Sequence, residues 1–147
     1  MNKIIDSIWF NLRTELPIAE PEELRRLFSS EISDVQCKLT SYALKLLRED
    51  STLRKTCQTF FLARKIVAGI SGQEPGLDEY IFTAHVDGES LTLSWWAIAS
   101  YIKKEIEKRY ALSREELDAL SDETLLWLYS MLTRLLTVTE ICMIKKG

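Results

Sequence analysis

The stretch YIFTAHVDGESLTLSW, residues 80–95, carries the strongest local structural signal in this chain. Asp87-Gly88 at its centre is a favoured pair for the type I′ turn of a two-residue β-hairpin. Apolar and polar residues alternate on both sides of the turn, and in this register Phe82 lies opposite Leu93. The sequence therefore predicts a β-hairpin over approximately residues 80–93.

The helix that follows the hairpin has two interpretations. Ser90 and Ser94 are both suitable N-cap residues, because a serine hydroxyl can accept a hydrogen bond from a backbone N–H in the first turn. A helix that starts at Ser90 would replace the second strand. We favour strands to about residue 93 and a helix from about Ser94 to Tyr110, because the turn chemistry and the alternation agree.

Apolar residues on either side of this segment recur at helical spacing. Pro21 followed by Glu22 and Glu23 indicates a helix start, and Ser113 with Glu116 indicates a capping box. About six or seven helices are predicted, beginning near Ile4, Pro21, Ser30 or Ser33, Ser51, Ser94, Ser113 and Ser121.

The predicted fold class is mainly α, a single bundle-like domain over residues 1–147. Its parts are a helical half over residues 1–68, a loop and β-hairpin over 69–93, and a helical half over 94–147. Gly69 is predicted to end the helix that begins at Ser51, because glycine tolerates the left-handed backbone found after many helix ends. The last helix is predicted to run from Ser121 to Lys145 and Lys146.

Composition places the chain among ordinary globular proteins. Of its 147 residues, 46% are hydrophobic and 28% are charged, which is too apolar for a disordered chain. The net charge is −3, from 11 basic and 9 acidic residues in 1–68 and 8 basic and 13 acidic residues in 69–147. A protein that binds duplex nucleic acid needs a concentrated basic face, which this chain lacks overall. The acidic second half suits a basic partner better than a polyanion.

Cysteine usage and hydropathy indicate a cytoplasmic protein without a membrane span. Cys37, Cys57 and Cys142 show neither a C-x-x-C pair nor zinc-type spacing, and we expect partly buried thiols in a reducing compartment. The most apolar segment, Leu125–Ile144, contains Arg134 and Glu140. Because each charge at mid-span costs about 2.5–3.5 kcal/mol on insertion scales, a helix of a soluble domain explains this segment better.

The stretch between Lys65 and Lys103 contains no lysine or arginine. It holds four of the five glycines, the only histidine and five carboxylates, so it combines an acidic loop with the predicted hairpin. Such a segment suits a surface that meets another protein, with a basic partner favoured by charge. The open edge of a hairpin also invites a second copy of the chain, which makes a homodimer a variant of this hypothesis. The predicted partner-binding residues are Glu74, Asp78, Glu79, Tyr80, His85, Glu89 and Trp96.

Trp95 and Trp96 are adjacent, so their side chains point to different sides in either a strand or a helix. We expect one of them to enter the core. The other must then be covered by a different part of the chain, by a second subunit or by a partner, and tryptophan is enriched at interface hot spots.

Five basic residues give an alternative hypothesis. Four lie on the helix that is predicted to start at Ser51, and one lies just before it. Such a basic face could contact phosphates, which would make the protein a nucleic-acid-associated regulator. A solvated helix face balanced by Glu49 and Asp50 explains the same pattern, so we do not expect nucleic acid to be the main partner. The residues of this alternative are Arg48, Arg54, Lys55, Arg64 and Lys65.

His85, Asp87 and Glu89 raise the second alternative, a metalloprotein or an enzyme centred on His85. Imidazole and carboxylates are metal ligands, but the hairpin register points His85 and Glu89 to opposite faces. Asp87 is already explained by the turn. The sequence therefore predicts no metal site here, and the unused histidine is expected on the exposed face of the hairpin.

The chain lacks the motifs that mark common catalytic sites, including G-x-S-x-G, the phosphate-binding G-x-x-x-x-G-K-[ST] loop and H-E-x-x-H. We therefore predict no catalytic residue and no cofactor. The leading hypothesis is a non-enzymatic interaction protein, such as a small acidic cytosolic adaptor, inhibitor or regulatory subunit.

Overall fold

A computed structural model describes residues 8–15, 20–28, 31–77, 82–86, 89–121 and 125–145. This part of the chain is mainly helical, as predicted. The helices are α1 (Pro21–Leu27), α2 (Asp34–Glu49), α3 (Ser51–Ser71), α4 (Trp95–Arg109), α5 (Arg114–Leu120) and α6 (Leu126–Leu135). The strands are β1 (Ile8–Glu15), β2 (Phe82–Val86), β3 (Glu89–Leu93) and β4 (Thr137–Lys145).

Local capping chemistry sets the start of several helices. The Ser33 hydroxyl accepts a hydrogen bond from the Gln36 backbone N–H at 3.2 Å, and the Gln36 side chain accepts one from the Ser33 N–H at 2.9 Å. Ser113 and Glu116 form the same reciprocal pair at the start of α5, which confirms the predicted capping box. Pro21 stands in the first turn of α1, also as predicted.

The end of α3 differs from the prediction. Gly69 lies inside the helix, and the residue with the left-handed backbone is Gly72, at φ +78°. The Gly72 N–H still bonds the Ala68 carbonyl at 2.8 Å, and the Ser71 hydroxyl donates to the Val67 carbonyl at 2.8 Å. These bonds satisfy the last carbonyls of the helix, so it continues for another half-turn past Gly69.

Strands β2 and β3 pair antiparallel, with Phe82 opposite Leu93 and Val86 opposite Glu89. Asp87, Gly88 and Tyr80 lie outside the described residues. The Ser94 hydroxyl accepts a hydrogen bond from the Ala97 N–H at 3.2 Å, so Ser94 is the N-cap of α4.

Two segments predicted to be helical, one near each end of the chain, form strands instead. Ile8–Glu15 forms β1, which pairs parallel with β2, although its apolar residues also fit a helical spacing. The predicted last helix is shorter, because α6 ends at Leu135 and Thr137–Lys145 forms β4. Both segments are rich in β-branched or aromatic residues, which favour strands when a neighbouring strand is available. The described strands follow the order β3-β2-β1-β4, so the fold has more sheet than one hairpin.

The chain groups into two compact units, each built from segments distant in sequence. Unit 1 comprises residues 1–15, 51–98 and 138–147, and unit 2 comprises residues 16–50 and 99–137. This grouping does not follow the predicted halves, and the prediction of one domain stays a prediction. The buried apolar core of unit 1 includes Cys57, Phe60, Phe61, Leu93 and Trp95, and that of unit 2 includes Leu24, Leu39, Leu44, Ile102, Ile106 and Leu132.

None of the helices in the described ranges combines the length and the apolar character that crossing a membrane requires.

Candidate functional site

The loop after α3, residues 72–77, is fixed to the helix by a buried arginine. The Arg64 side chain is only 6% exposed, and its Nη1 donates a hydrogen bond to the Pro75 carbonyl oxygen at 2.6 Å. A buried guanidinium must keep its hydrogen-bond acceptors, because a buried charge without them is costly. The bond to Pro75 therefore holds the loop against the helix. Sequence reasoning missed Pro75, since no spacing rule connects a helical arginine to a carbonyl eleven residues later.

Phe60 and Glu74 also lie near the Arg64 guanidinium. Its carbon lies 6.0 Å from the centroid of the Phe60 ring, one helical turn earlier, at the limit of a cation–π contact. Its Nη2 lies 3.6 Å from a carboxylate oxygen of Glu74, which is longer than the roughly 2.7–2.9 Å of a strong charge-assisted hydrogen bond. The Glu74 side chain is 70% exposed. The carboxylate is therefore held near the arginine but still faces solvent.

The backbone before Pro75 is also fixed. The Ser71 hydroxyl oxygen accepts a hydrogen bond from the Gln73 backbone N–H at 3.4 Å, while the left-handed backbone of Gly72 turns the chain away from the helix axis. Together they place Glu74 and Pro75 directly after the turn. The loop is thus held at two points, the turn at Gly72 and the Arg64 contact.

These contacts correct one part of the nucleic-acid hypothesis. Arg64 does not project from a solvated basic face, because burial and the Pro75 bond occupy its guanidinium. Lys65 is exposed, whereas Arg54 and Lys55 are half-buried on α3. Arg48 is exposed at the end of α2, in unit 2, so the five residues do not belong to one unit.

The adjacent tryptophans at the start of α4 separate as predicted. Trp95 is 1% exposed, and its ring centroid lies 6.3 Å from that of Phe61 in the unit 1 core. Trp96 is 40% exposed. Unit 1 thus fixes the first turn of α4 through Trp95 and presents the neighbouring indole to solvent.

The other predicted partner-binding residues are described only in part. Asp78, Glu79 and Tyr80 lie outside the described residues. His85 pairs with Ser90, and Glu89 with Val86, in the ladder of β2 and β3. The structure therefore brings Glu74 to the fixed loop and exposes Trp96, and the remaining residues keep their status as predictions.

A second group of charges lies in unit 2, beside an open cleft of about 390 Å³ between α1, α2 and α5. Glu116 is buried, and one of its carboxylate oxygens lies 3.2 Å from the Lys38 ammonium. The Ser113 backbone N–H donates to this carboxylate and, with Lys38, holds the pKa of Glu116 below its usual value, although burial opposes the shift. The same ion pair raises the pKa of Lys38. In the same cleft, Arg25 bonds Asp34 at 3.0 Å.

These cleft charges serve the fold rather than a ligand. Each of the two cations is already paired with a carboxylate, and Glu116 also caps α5. Also on α2, the ring of Tyr42 stacks on that of Tyr110, with centroids 3.9 Å apart. The capping box was readable from sequence, but the ion pair was not, because it joins residues on helices far apart in the chain.

Metal and thiol chemistry find no support in the described residues. No three of their histidine, cysteine, aspartate and glutamate side chains lie close enough together to hold a metal ion. Cys37 and Cys57 are buried, and burial raises the pKa of the Cys37 thiol. A raised pKa disfavours the reactive thiolate form.

Comparisons with protein-family models, with curated proteins and with solved structures find no match to this chain. The described features that bear on function are therefore the contacts around Arg64 and Glu74 and the exposure of Trp96.

Proposed function

We propose that the protein is a non-enzymatic protein–protein interaction protein, a small cytoplasmic adaptor, inhibitor or regulatory subunit. The single observation that carries the proposal is the exposed Trp96 beside the fully buried Trp95. An exposed indole on a helix whose orientation is fixed by its neighbour gives a partner a rigid aromatic anchor. Anchors of this kind supply much of the binding energy in many interfaces.

Charge complementarity gives the partner its chemistry. The stretch between Lys65 and Lys103 contains five carboxylates and no lysine or arginine. Glu74 presents one of these carboxylates on the fixed loop, and Asp78, Glu79 and Glu89 extend the acidic set. The proposed partner is therefore a protein with a basic surface that meets this segment, together with Tyr80 and His85.

Self-association is a variant of the same proposal. The predicted hairpin over residues 80–93 would offer a strand edge to a second copy. The acidic residues of the segment oppose this variant, since two copies would bring like charges together. A basic partner is the favoured occupant for that reason.

Matched variants test the proposal. Affinity capture from the native host would first identify partners, and titration of the purified partner would then compare Trp96→Ala and Glu74→Lys with the wild type. Leu126→Ala and Glu107→Lys are the controls, because they change an exposed leucine and an exposed glutamate outside the segment.

We expect Trp96→Ala and Glu74→Lys each to weaken binding of the partner by at least about tenfold, as for a modest interface hot spot. The two controls should bind like the wild type. If the segment variants kept every partner and the oligomeric state of the wild type, the proposal would be wrong.

A further inference from the structure

We infer that Arg64 is a positioning residue for the acidic loop, and that a basic partner binds more tightly because this arginine is present. The inference rests on the proposed function, in which the loop meets a basic partner. Arg64 itself is too buried to contact that partner, so it would act only through the loop.

The contacts indicate a loop that has its shape before a partner arrives. The Arg64 guanidinium holds Pro75 at 2.6 Å, and the turn at Gly72 and Ser71 fixes the other end of the same short segment. Ordering a flexible segment on binding lowers affinity, because each residue that becomes fixed loses conformational entropy. A loop that is already fixed avoids most of this cost.

The geometry also separates the carboxylate from the anchor. Arg64 holds the loop chiefly through the Pro75 carbonyl, whereas Glu74 lies farther away at 3.6 Å and is mostly exposed. A lysine or arginine of the partner can therefore take the Glu74 carboxylate while the Pro75 bond stays in place. The anchor and the recognition group are different atoms of the loop.

Net charge alone predicts that removal of Arg64 strengthens binding of a basic partner. Removing Arg64 makes the region more acidic, which should strengthen its attraction for a basic partner. Loss of the anchor should weaken binding instead. Lys65 provides the matched control, because it is the next residue on α3, carries the same charge and is exposed.

The experiment compares Arg64→Met, Arg64→Lys and Lys65→Met with the wild type. The probe is a synthetic decapeptide of alternating lysine and serine, and its glutamate counterpart is the negative control. Amide hydrogen exchange at Gln73, Gly76 and Leu77 is measured in the absence of peptide, with Cys57 in the core of unit 1 as the reference for unfolding of that unit.

We expect Arg64→Met to bind the lysine peptide about tenfold more weakly, because a loop that is no longer fixed must be ordered on binding. Lys65→Met should bind as tightly as the wild type or more tightly, and Arg64→Lys should recover part of the loss. Exchange at the three loop amides should be faster in Arg64→Met, while exchange at Cys57 stays unchanged.

Binding by Arg64→Met that equals or exceeds binding by Lys65→Met would overturn the inference. Unchanged loop exchange in both Arg64 variants would also overturn it, whether or not the methionine variant folds well. If the wild type failed to bind the lysine peptide while the loop amides lost protection in the Arg64 variants, the proposed function would fail and the anchoring role of Arg64 would remain.

Discussion

The guanidinium of Arg64 and the carbonyl of Pro75 are joined by a 2.6 Å hydrogen bond that closes the loop after α3. In the sequence, the basic residues of α3 and the carboxylates that follow this helix give two separate hypotheses. The structure connects them, because Arg64 on α3 holds the loop that carries Glu74. The candidate site is therefore the Glu74 carboxylate on the fixed loop and the exposed Trp96 indole, both in unit 1.

Gly72 and Gly69 should respond in opposite directions to alanine. Gly72 has φ +78°, a conformation that an alanine side chain strains, so Gly72→Ala should lower the free energy of unfolding by about 1 kcal/mol. Gly69 lies inside α3 with open space around an added methyl group, so Gly69→Ala should raise it by about 0.5–1 kcal/mol. Denaturant unfolding of the two variants measures both changes. Equal effects from the two substitutions would contradict the placement of the helix end.

Gln58 is a buried polar residue whose replacement should stabilise unit 1. Neither its amide nitrogen nor its amide oxygen has a hydrogen-bond partner in the structure described, and its side chain lies inside the core. Since leaving such groups unpaired costs about 1–3 kcal/mol, Gln58→Leu should raise the free energy of unfolding by about 1 kcal/mol or more. Gln36→Leu is the contrast, because Gln36 closes the capping box of α2 and its loss should cost about 1 kcal/mol. Destabilisation by Gln58→Leu would show that the amide is satisfied in solution.

Glu116 should make stability depend on pH in the acidic range. Its pKa in the folded protein is lowered from the ordinary 4.5, first by the Ser113 backbone N–H. A lowered pKa means that the contribution is present above pH 4.5 and is lost as the pH falls through the folded-state value. Glu116→Gln keeps the capping geometry but removes the charge that pairs with Lys38.

Unfolding curves from pH 7 to pH 3 compare this variant with the wild type. The wild type should be the more stable at pH 7, and the difference should shrink as the pH falls below 4.5. A difference that stayed constant across this range would mean that the Glu116 charge contributes nothing.

Trp95 and Trp96 form a further matched pair. Trp95→Ala should lower the free energy of unfolding by about 3–5 kcal/mol, because it empties a large volume of the unit 1 core next to Phe61. Trp96→Ala should change stability by less than about 1 kcal/mol, as expected for a half-exposed side chain. Thermal and denaturant unfolding of both variants measure the contrast. A large loss of stability in Trp96→Ala would indicate a structural role and weaken the case for an interface.

Local chemistry explains which parts of the fold the sequence could predict. Ser33 and Ser113 each set a helix start through hydrogen bonds within one turn, and Pro21 does so through its fixed φ, so the signal lies within a few neighbouring residues. The short apolar runs in Ile8–Glu15 and Thr137–Lys145 fit both the helical and the strand period, so the sequence predicts helices there, whereas the strand state depends on a neighbouring strand.

The candidate site divides in the same way. The burial of one tryptophan and the exposure of its neighbour follow from their adjacency on a helix, and this was predicted. Helical spacing predicts that the pair Arg54 and Lys55 and the pair Arg64 and Lys65 share a solvated face. Helical angles alone do not show that a loop returns to cover Arg64. Tertiary contacts over eleven residues leave no periodic pattern in the sequence.

Whether Trp96 and the loop after α3 contact a basic partner is tested most directly by a ¹⁵N–¹H spectrum. The indole resonances of the four tryptophans are recorded while the lysine–serine decapeptide is added. Trp95→Phe and Trp96→Phe assign the two relevant signals. We expect the Trp96 resonance and the loop amides of Gln73, Gly76 and Leu77 to shift in a saturable manner, while the Trp95 resonance stays in place. Saturable binding that left both Trp96 and the loop amides unshifted would contradict this expectation.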